Sequence, residues 1–303
     1  HEGAKVTVTP DGRLAVYMGD DQRFEYIYKF VSKNRYQPGN RAANMRLLEE
    51  GTLYAARFNE NGSGDWLALA HGQNGLTAAN GFADQGEVLV KTRMAADLLG
   101  ATKMDRPEWI TADPFTAGSI YCTLTNNSQR GQEGKPAADA ANPRANNLFG
   151  HIIHWQEADG DGTKLSFKWD ILVLAGNKQA VKPEHKGNIN GDDFGSPDGL
   201  AFDSRGVLWI QTDVSTSTLN MKEYAGMGNN QMVATVLGSN EYRRFLTAPN
   251  GSEVTSLAFT PDNKTMFINI QHPGEHSKDH SDPARPNAAS PSPDGAATRR
   301  PRA

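Results

Sequence analysis

The sequence predicts an all-β-dominated fold of short antiparallel strand pairs with a few helical insertions. Three observations carry that prediction. Asp/Gly/Asn turns repeatedly separate β-branched or aromatic segments at hairpin spacing, acidic residues recur just before such segments, and only two stretches pattern as helices. With 303 residues, 37% hydrophobic and 22% charged, the chain can bury a sizeable core in one large domain or two ordinary ones.

The first pair is Val6 to Val8 and Leu14 to Met18, split by Thr9-Pro10-Asp11-Gly12-Arg13. The second joins Leu53 to Phe58 with Trp66 to Ala70, and between them Arg23 to Phe30 reads as a strand with Phe24, Tyr26, Tyr28 and Phe30 in one core-facing row. Asp203-Ser204-Arg205-Gly206 turns Leu200 to Phe202 into Val207 to Gln211, and Thr260 to Lys264 turns Val254 to Phe259 into Thr265 to Ile270. Meanders of this kind form the blades of a β-propeller, incomplete as given, although their spacing is too irregular to fix a blade count. Helices are expected over 42–50 and roughly 90–99, the second closed by Gly100 as a left-handed cap. Residues 126–147, rich in Gly, Pro, Ala and Asn, form a long loop or insertion. Residues 1–275 are read as one propeller domain. The stretch 276–303, with five prolines and almost no bulky apolar residue, is expected to be a disordered tail. Because His1-Glu2-Gly3 runs straight into a strand, the start is read as a cut inside a domain.

Several classes are excluded or disfavoured. A formal charge of −4 supplies no basic field for nucleic acid or an anionic membrane, and no run of about 18 apolar residues crosses a bilayer. The single cysteine, Cys122, excludes an internal disulfide and a cysteine-built zinc site, and its apolar strand setting marks it as a small buried hydrophobe. Neither a Gly-rich phosphate loop, a nucleophile elbow nor a dinucleotide fingerprint is present.

The chemistry-bearing residues lie at strand ends. In Arg106-Pro107-Glu108 the proline fixes the backbone between a guanidinium suited to an anionic oxygen and a carboxylate suited to a cation; the alternative is a surface ion pair with Trp109 as core. Asp198 opens a strand whose hairpin partner ends at Asp213, so the two carboxylates are expected on one rim, with turn-forming Asx chemistry as the alternative for Asp198, Asp192 and Asp193. Glu253 and Glu2 also precede strands. Carboxylates at the same end of successive blades converge on a propeller axis, and an all-oxygen set favours calcium over zinc. His151 and His154, three apart on a strand, face opposite ways and cannot share a metal. His272 ends the last strand as a supporting group, and Asp20 and Asp21 are ligands or turn formers.

Tyr17-Met18-Gly19-Asp20-Asp21, Phe24 to Val31, Glu50 to Phe58, Arg106 to Ile110, Leu124 to Asn127, Ser196 to Gly199 with Trp209 to Asp213, and Ile270 to Glu275 together resemble the PhoX-type alkaline phosphatases, in family order. The resemblance implies a secreted or periplasmic propeller enzyme that hydrolyses small phosphomonoesters at a cluster of iron and calcium, acting as a monomer. Carried over by position, Glu2 is a carboxylate ligand of the cluster, Glu108, Asp198 and Glu253 are calcium-side ligands, Arg106 is the phosphate-binding arginine, and Asp213 is a further candidate. The family's cysteine iron ligand and asparagine phosphate contact belong to an N-terminal portion that precedes this match, and Cys122 sits in a different motif. Residues 1–303 alone are therefore expected to bind calcium weakly, hold little iron and show negligible phosphatase activity. Two alternatives remain. Ser196 to Asp203 with Gly206 to Trp209 also resembles a blade motif of calcium-dependent propeller lactonases, and a non-catalytic calcium-binding scaffold would carry the same acids. Arg106 discriminates, because a neutral lactone needs no anion clamp.

Overall fold

The computed structural model describes residues 2–275 together with 277, 282, 284, 285 and 288, so most of the expected tail lies outside the described residues. The first predicted pair forms β1 (Glu2–Val8) and β2 (Arg13–Gly19), and β3 (Tyr28–Arg35), β4 (Gly51–Phe58) and β5 (Ser63–Ala68) continue the meander. A second meander runs through β6 (Pro107–Ala112), β7 (Ser119–Leu124), β8 (His151–Glu157) and β9 (Ser166–Leu174). The third contains β11 (Pro197–Phe202), β12 (Val207–Thr212), β13 (Gln231–Val236) and β14 (Glu241–Thr247), with the two-residue β10 (Asn190–Gly191) parallel to β14. A final hairpin joins β15 (Glu253–Phe259) to β16 (Met266–Gln271).

The outer strands β5 and β9 pair antiparallel, which merges the first two meanders into a nine-stranded sheet whose end strands, β1 and β6, lie against one another. β6 in turn contacts β11, and β11 contacts β15. The leading strands of four successive β units thus stand side by side, the arrangement of propeller blades predicted from the meanders. The apolar cores sit between these units. Ile152, Val173 and Tyr121 of the second meander meet Leu200, Leu208, Ile210 and Val233 of the third, and Tyr17, Trp66 and Phe58 of the first meet Trp155 and Ile153 of the second. One buried ion pair crosses the latter seam. Lys29 Nζ lies 3.3 Å from Glu157 Oε2, both side chains fully buried, and Tyr17 and Trp66 donate to the same carboxylate, so neither charge is left unpartnered.

Three local expectations needed correction. The helix expected over 42–50 is only α1 (Arg41–Asn44), because the Asn44 side chain bonds back to the Gln37 backbone and competes with continued helix. The second helix is two, α2 (Gln85–Val90) and α3 (Thr92–Leu99). Asp84 caps the first by accepting from the Glu87 N–H, the Glu87 side chain accepts from the Ala83 N–H, and Gly100 at φ +70° closes the second as expected. The strand expected from Arg23 starts only at Tyr28, since Phe24 adopts φ +71° in the loop before it; Tyr26 and Tyr28 are core as read. Residues 126–147 are a loop as expected, tied down by buried Asp105, which accepts from Arg130, Asn127 and Asn147.

Candidate metal centre

The strand register repeats. Glu2 pairs with Gly19, Pro107 with Leu124, Pro197 with Thr212 and Glu253 with Gln271. Each leading strand therefore opens, within its first two residues, on Glu2, Glu108, Asp198 or Glu253, opposite the end of its hairpin partner. The residues just past those partners, Asp21, Thr125, Asp213 and His272, arrive at the same rim. A register shift follows the acidic position directly in β1, β6 and β11, where extra backbone bends the strand away from regular pairing. Gly19 permits the closest approach. A Cβ there would lie 2.3 Å from the Pro107 carbonyl oxygen, so only glycine lets β2 deliver Asp21 beside Glu108.

Carboxylate oxygens of Glu2, Asp21 and Glu108 lie within 4.8 Å of one another. Arg106, at φ +57°, clamps this group: its Nε is 2.7 Å from Asp21 Oδ1, and its Nη2 is 3.1 Å from Asp21 Oδ2 and 3.1 Å from Glu108 Oε1. Thr125 joins two blades, its hydroxyl lying 2.8 Å from Glu108 Oε1 and 2.9 Å from the Pro197 carbonyl, while Thr123 donates to the Asp198 carbonyl at 2.6 Å. Gln271 donates to Glu253 at 3.0 Å, and His272 Nε2 stands 3.4 Å from the same carboxylate.

The electrostatics are those of crowded anions. Burial, then repulsion from Asp198 and Asp21, pushes the Glu108 carboxyl far above the usual range. Burial and repulsion from Glu253 and Asp213 push Asp198 well up, and burial with Asp213 raises Glu253. Asp213 is raised by burial and Glu2 by burial and Asp21. Asp21 is the exception, since hydrogen bonds led by Arg106 outweigh its burial and hold it low. Buried and half-buried carboxylates at this spacing are stable only when protons or a cation balance them. Their all-oxygen donor set, at several blade ends, has the chemistry a hard divalent cation such as calcium takes.

All six sequence-selected residues, Glu2, Arg106, Glu108, Asp198, Asp213 and Glu253, thus belong to one electrostatically linked cluster. The ion pair foreseen for Arg106 exists but is largely buried rather than a surface feature. Asp21, a ligand or turn former on sequence grounds, joins this cluster. Its signal was its place just past the end of β2, matching that of Asp213 past β12. Asp192 and Asp193 lie elsewhere, Asp192 accepting from the Arg244 backbone in loop chemistry. His151 is fully buried against Ala141 and Asn147, and His154 bonds Ser119 and Asp170, so neither joins the cluster. Cys122 is in the apolar core with Ile120, Ile153 and Trp155, where burial pushes its thiol far up.

A cavity of about 420 Å³ opens beside the cluster, lined among others by Arg23, Arg106, Asn126, Asp213, Glu253 and His272. Among the described residues, three other grooves are larger and share no residue with it: two of about 680 and 800 Å³ around Lys33 and Glu49 to Glu50, and one of about 480 Å³ around Asp20 and Arg93. Size therefore does not mark the chemistry here; converging ionisable groups do.

The family model described as alkaline phosphatase PhoX matches residues 1–274. Among solved structures, Pseudomonas fluorescens PhoX in complex with vanadate, a transition-state analogue, is 46% identical with a TM-score of 0.85, covering 91% of this chain and 49% of that one. The chain thus spans about half the length of that relative. Comparison with curated proteins gives no match. Repeated acids on successive leading strands, the clamped Arg106 and the match over residues 1–274 lead to one conclusion: the chain belongs to the PhoX alkaline phosphatase family.

Proposed function

We propose that the chain supplies the carboxylate and arginine side of a metal-dependent phosphomonoester hydrolase acting on small-molecule substrates. The observation that carries this reading is the contact of Arg106 with both Asp21 and Glu108 at the mouth of the carboxylate cluster. Asp21 and Glu108 occupy Nε and Nη2 and hold the guanidinium plane still, leaving Nη1 uncommitted among the described residues. A fixed fork of this kind suits a tetrahedral oxyanion and holds it where charge accumulates as the ester breaks. The vanadate held by the Pseudomonas protein has the charge and shape such a fork would meet.

Glu108, Asp198 and Glu253 are the residues that would hold calcium, with Asp213 beside them and Glu2 and Asp21 toward Arg106. When bound, the metals supply Lewis-acid charge that neutralises phosphoryl oxygens. Thr125 keeps Glu108 oriented through its hydroxyl, and Gln271 does the same for Glu253. Iron, implied by the family, would draw on Glu2; Cys122 cannot serve it from the apolar core. Family membership also supports a periplasmic or secreted location. A lactonase would use the same Asp198 hairpin, but a neutral ester leaves the fixed guanidinium without a role. The deciding experiment is turnover of a chromogenic phosphomonoester by the full-length parent of this chain with and without a chelator. Chelator-sensitive phosphate release supports the reading, and lactone opening without phosphate release overturns it.

A further inference from the structure

Arg23 lies in the loop between β2 and β3 and lines the same cavity as Arg106, Asn126 and Asp213. The two guanidiniums are committed differently. Arg106 is ion-paired to Asp21 and Glu108, whereas Arg23 is exposed and no carboxylate among the described residues pairs with it. The backbone that sets its position is strained and over-determined. Phe24, a bulky aromatic residue, sits at φ +71°. Its N–H donates to the Met104 carbonyl at 2.8 Å, Arg23 bridges to Asp105, and the Arg130 guanidinium lies 5.3 Å from the centre of the Phe24 ring. Arg130 is itself locked at 2.6 Å from Asp105. Such strain persists only where its surroundings enforce it, and it concentrates at functional sites. Here it fixes where an uncommitted cation leaves the loop.

The chemistry of the cavity gives that cation a task. Its wall carries Arg23 beside Arg106, with Asp213, Glu253 and Glu275 along the same rim. Arg106 is assigned to the scissile phosphate, so a second anion needs a second donor at the rim. We propose that Arg23 is a specificity-determining residue that binds a second anionic group of the substrate at the rim of this cavity, favouring phosphomonoesters that carry a carboxylate or further phosphate near the scissile ester. This inference rests on the phosphatase reading above.

The test compares glycerol 1-phosphate with 3-phosphoglycerate, which replaces a hydroxymethyl group by a carboxylate. In the full-length parent, Arg23→Gln should raise KM for 3-phosphoglycerate by about fivefold to tenfold, the scale of one charge-assisted hydrogen bond at a part-exposed site, with kcat unchanged. KM for glycerol 1-phosphate should stay within about twofold, since Arg106 alone grips its phosphate. Arg23→Lys should retain part of the preference, which a merely structural role would not produce. Equal changes for both substrates, or none for either, overturn the role of Arg23 while leaving the hydrolase reading intact. Hydrolysis of neither substrate by the unsubstituted full-length parent overturns the hydrolase reading itself, and this inference with it.

Discussion

Glu108 and Asp198 are the same position in two successive blades. Each is the second residue of its strand, each follows a proline paired with the end of the neighbouring strand, and Thr125 reaches both the Glu108 carboxylate and the Pro197 carbonyl. Two carboxylates placed by one repeated register are brought together because the blades pack, whatever the cost of their repulsion.

That repulsion predicts a reversal. Without added cation, Glu108→Gln should melt above the unsubstituted chain, because one member of the anionic cluster is gone. With calcium at about a hundred times its Kd, the unsubstituted chain should gain about 2.7 kcal/mol and the variant much less. Thermal melts with calcium and with chelator measure this, and a chelator-insensitive melt would sink the carboxylate-cluster argument.

In the full-length parent, Arg106→Ala should lower phosphomonoester turnover by about 2–4 kcal/mol of barrier with a much smaller effect on melting. Arg106→Lys should restore only part, since the planar fork is lost. Asp21→Asn should fall between them, because it frees the guanidinium that Asp21 now holds at 2.7 Å. Steady-state kinetics beside melting curves decide it; unchanged turnover in Arg106→Ala returns this residue to a purely structural ion pair.

Gly19→Ala tests how the cluster is assembled. The new methyl would meet the Pro107 and Glu108 carbonyl oxygens at 2.3 and 2.6 Å, both backbone and unable to swing aside. The cost should be about 1–3 kcal/mol or more, and the calcium-induced shift in melting should shrink with it, because separating β2 from β6 carries Asp21 off Glu108. Denaturant unfolding at fixed calcium measures the first effect and a calcium titration the second. An Ala variant with unaltered stability would mean that β2 and β6 do not approach so closely.

His151 predicts a pH dependence. Burial, then the nearby Arg144, lowers its folded pKa from 6.5 to about 3. The unfolded chain therefore binds a proton that the folded chain refuses between these values, so stability falls as pH drops from 6.5 toward 3, by up to about 1.4 kcal/mol per pH unit. His151→Gln should flatten this part of the profile, although losing the contact to the Ala141 carbonyl lowers stability at neutral pH. Unfolding measured from pH 7 to 4 checks the slope, and identical slopes in both proteins would show that His151 titrates normally.

The sequence by itself determined the hairpins, because Asp-Gly and Asn-rich turns between β-branched runs act over a few residues, and it located Glu2, Glu108, Asp198 and Glu253 as acids before strands. Family membership was legible in the same blocks. The helix over 42–50 was misjudged, since the bond from Asn44 to Gln37 outcompetes propensity locally. The sequence leaves Asp21 between ligand and turn former and gives Arg23 no role, because their value depends on partners far along the chain: Asp21 matters only once Gly19 allows β2 against Pro107, and Arg23 only once Arg130 and Asp105 lock Phe24. Register and contact between blades are long-range quantities, set by the burial of Tyr17, Trp66 and Trp155 in one seam and Ile152 and Leu200 in another. The chain's local pattern chose the acidic residue types; only the closing of the blades decided which of them stand together and which guanidinium has no carboxylate partner among the described residues.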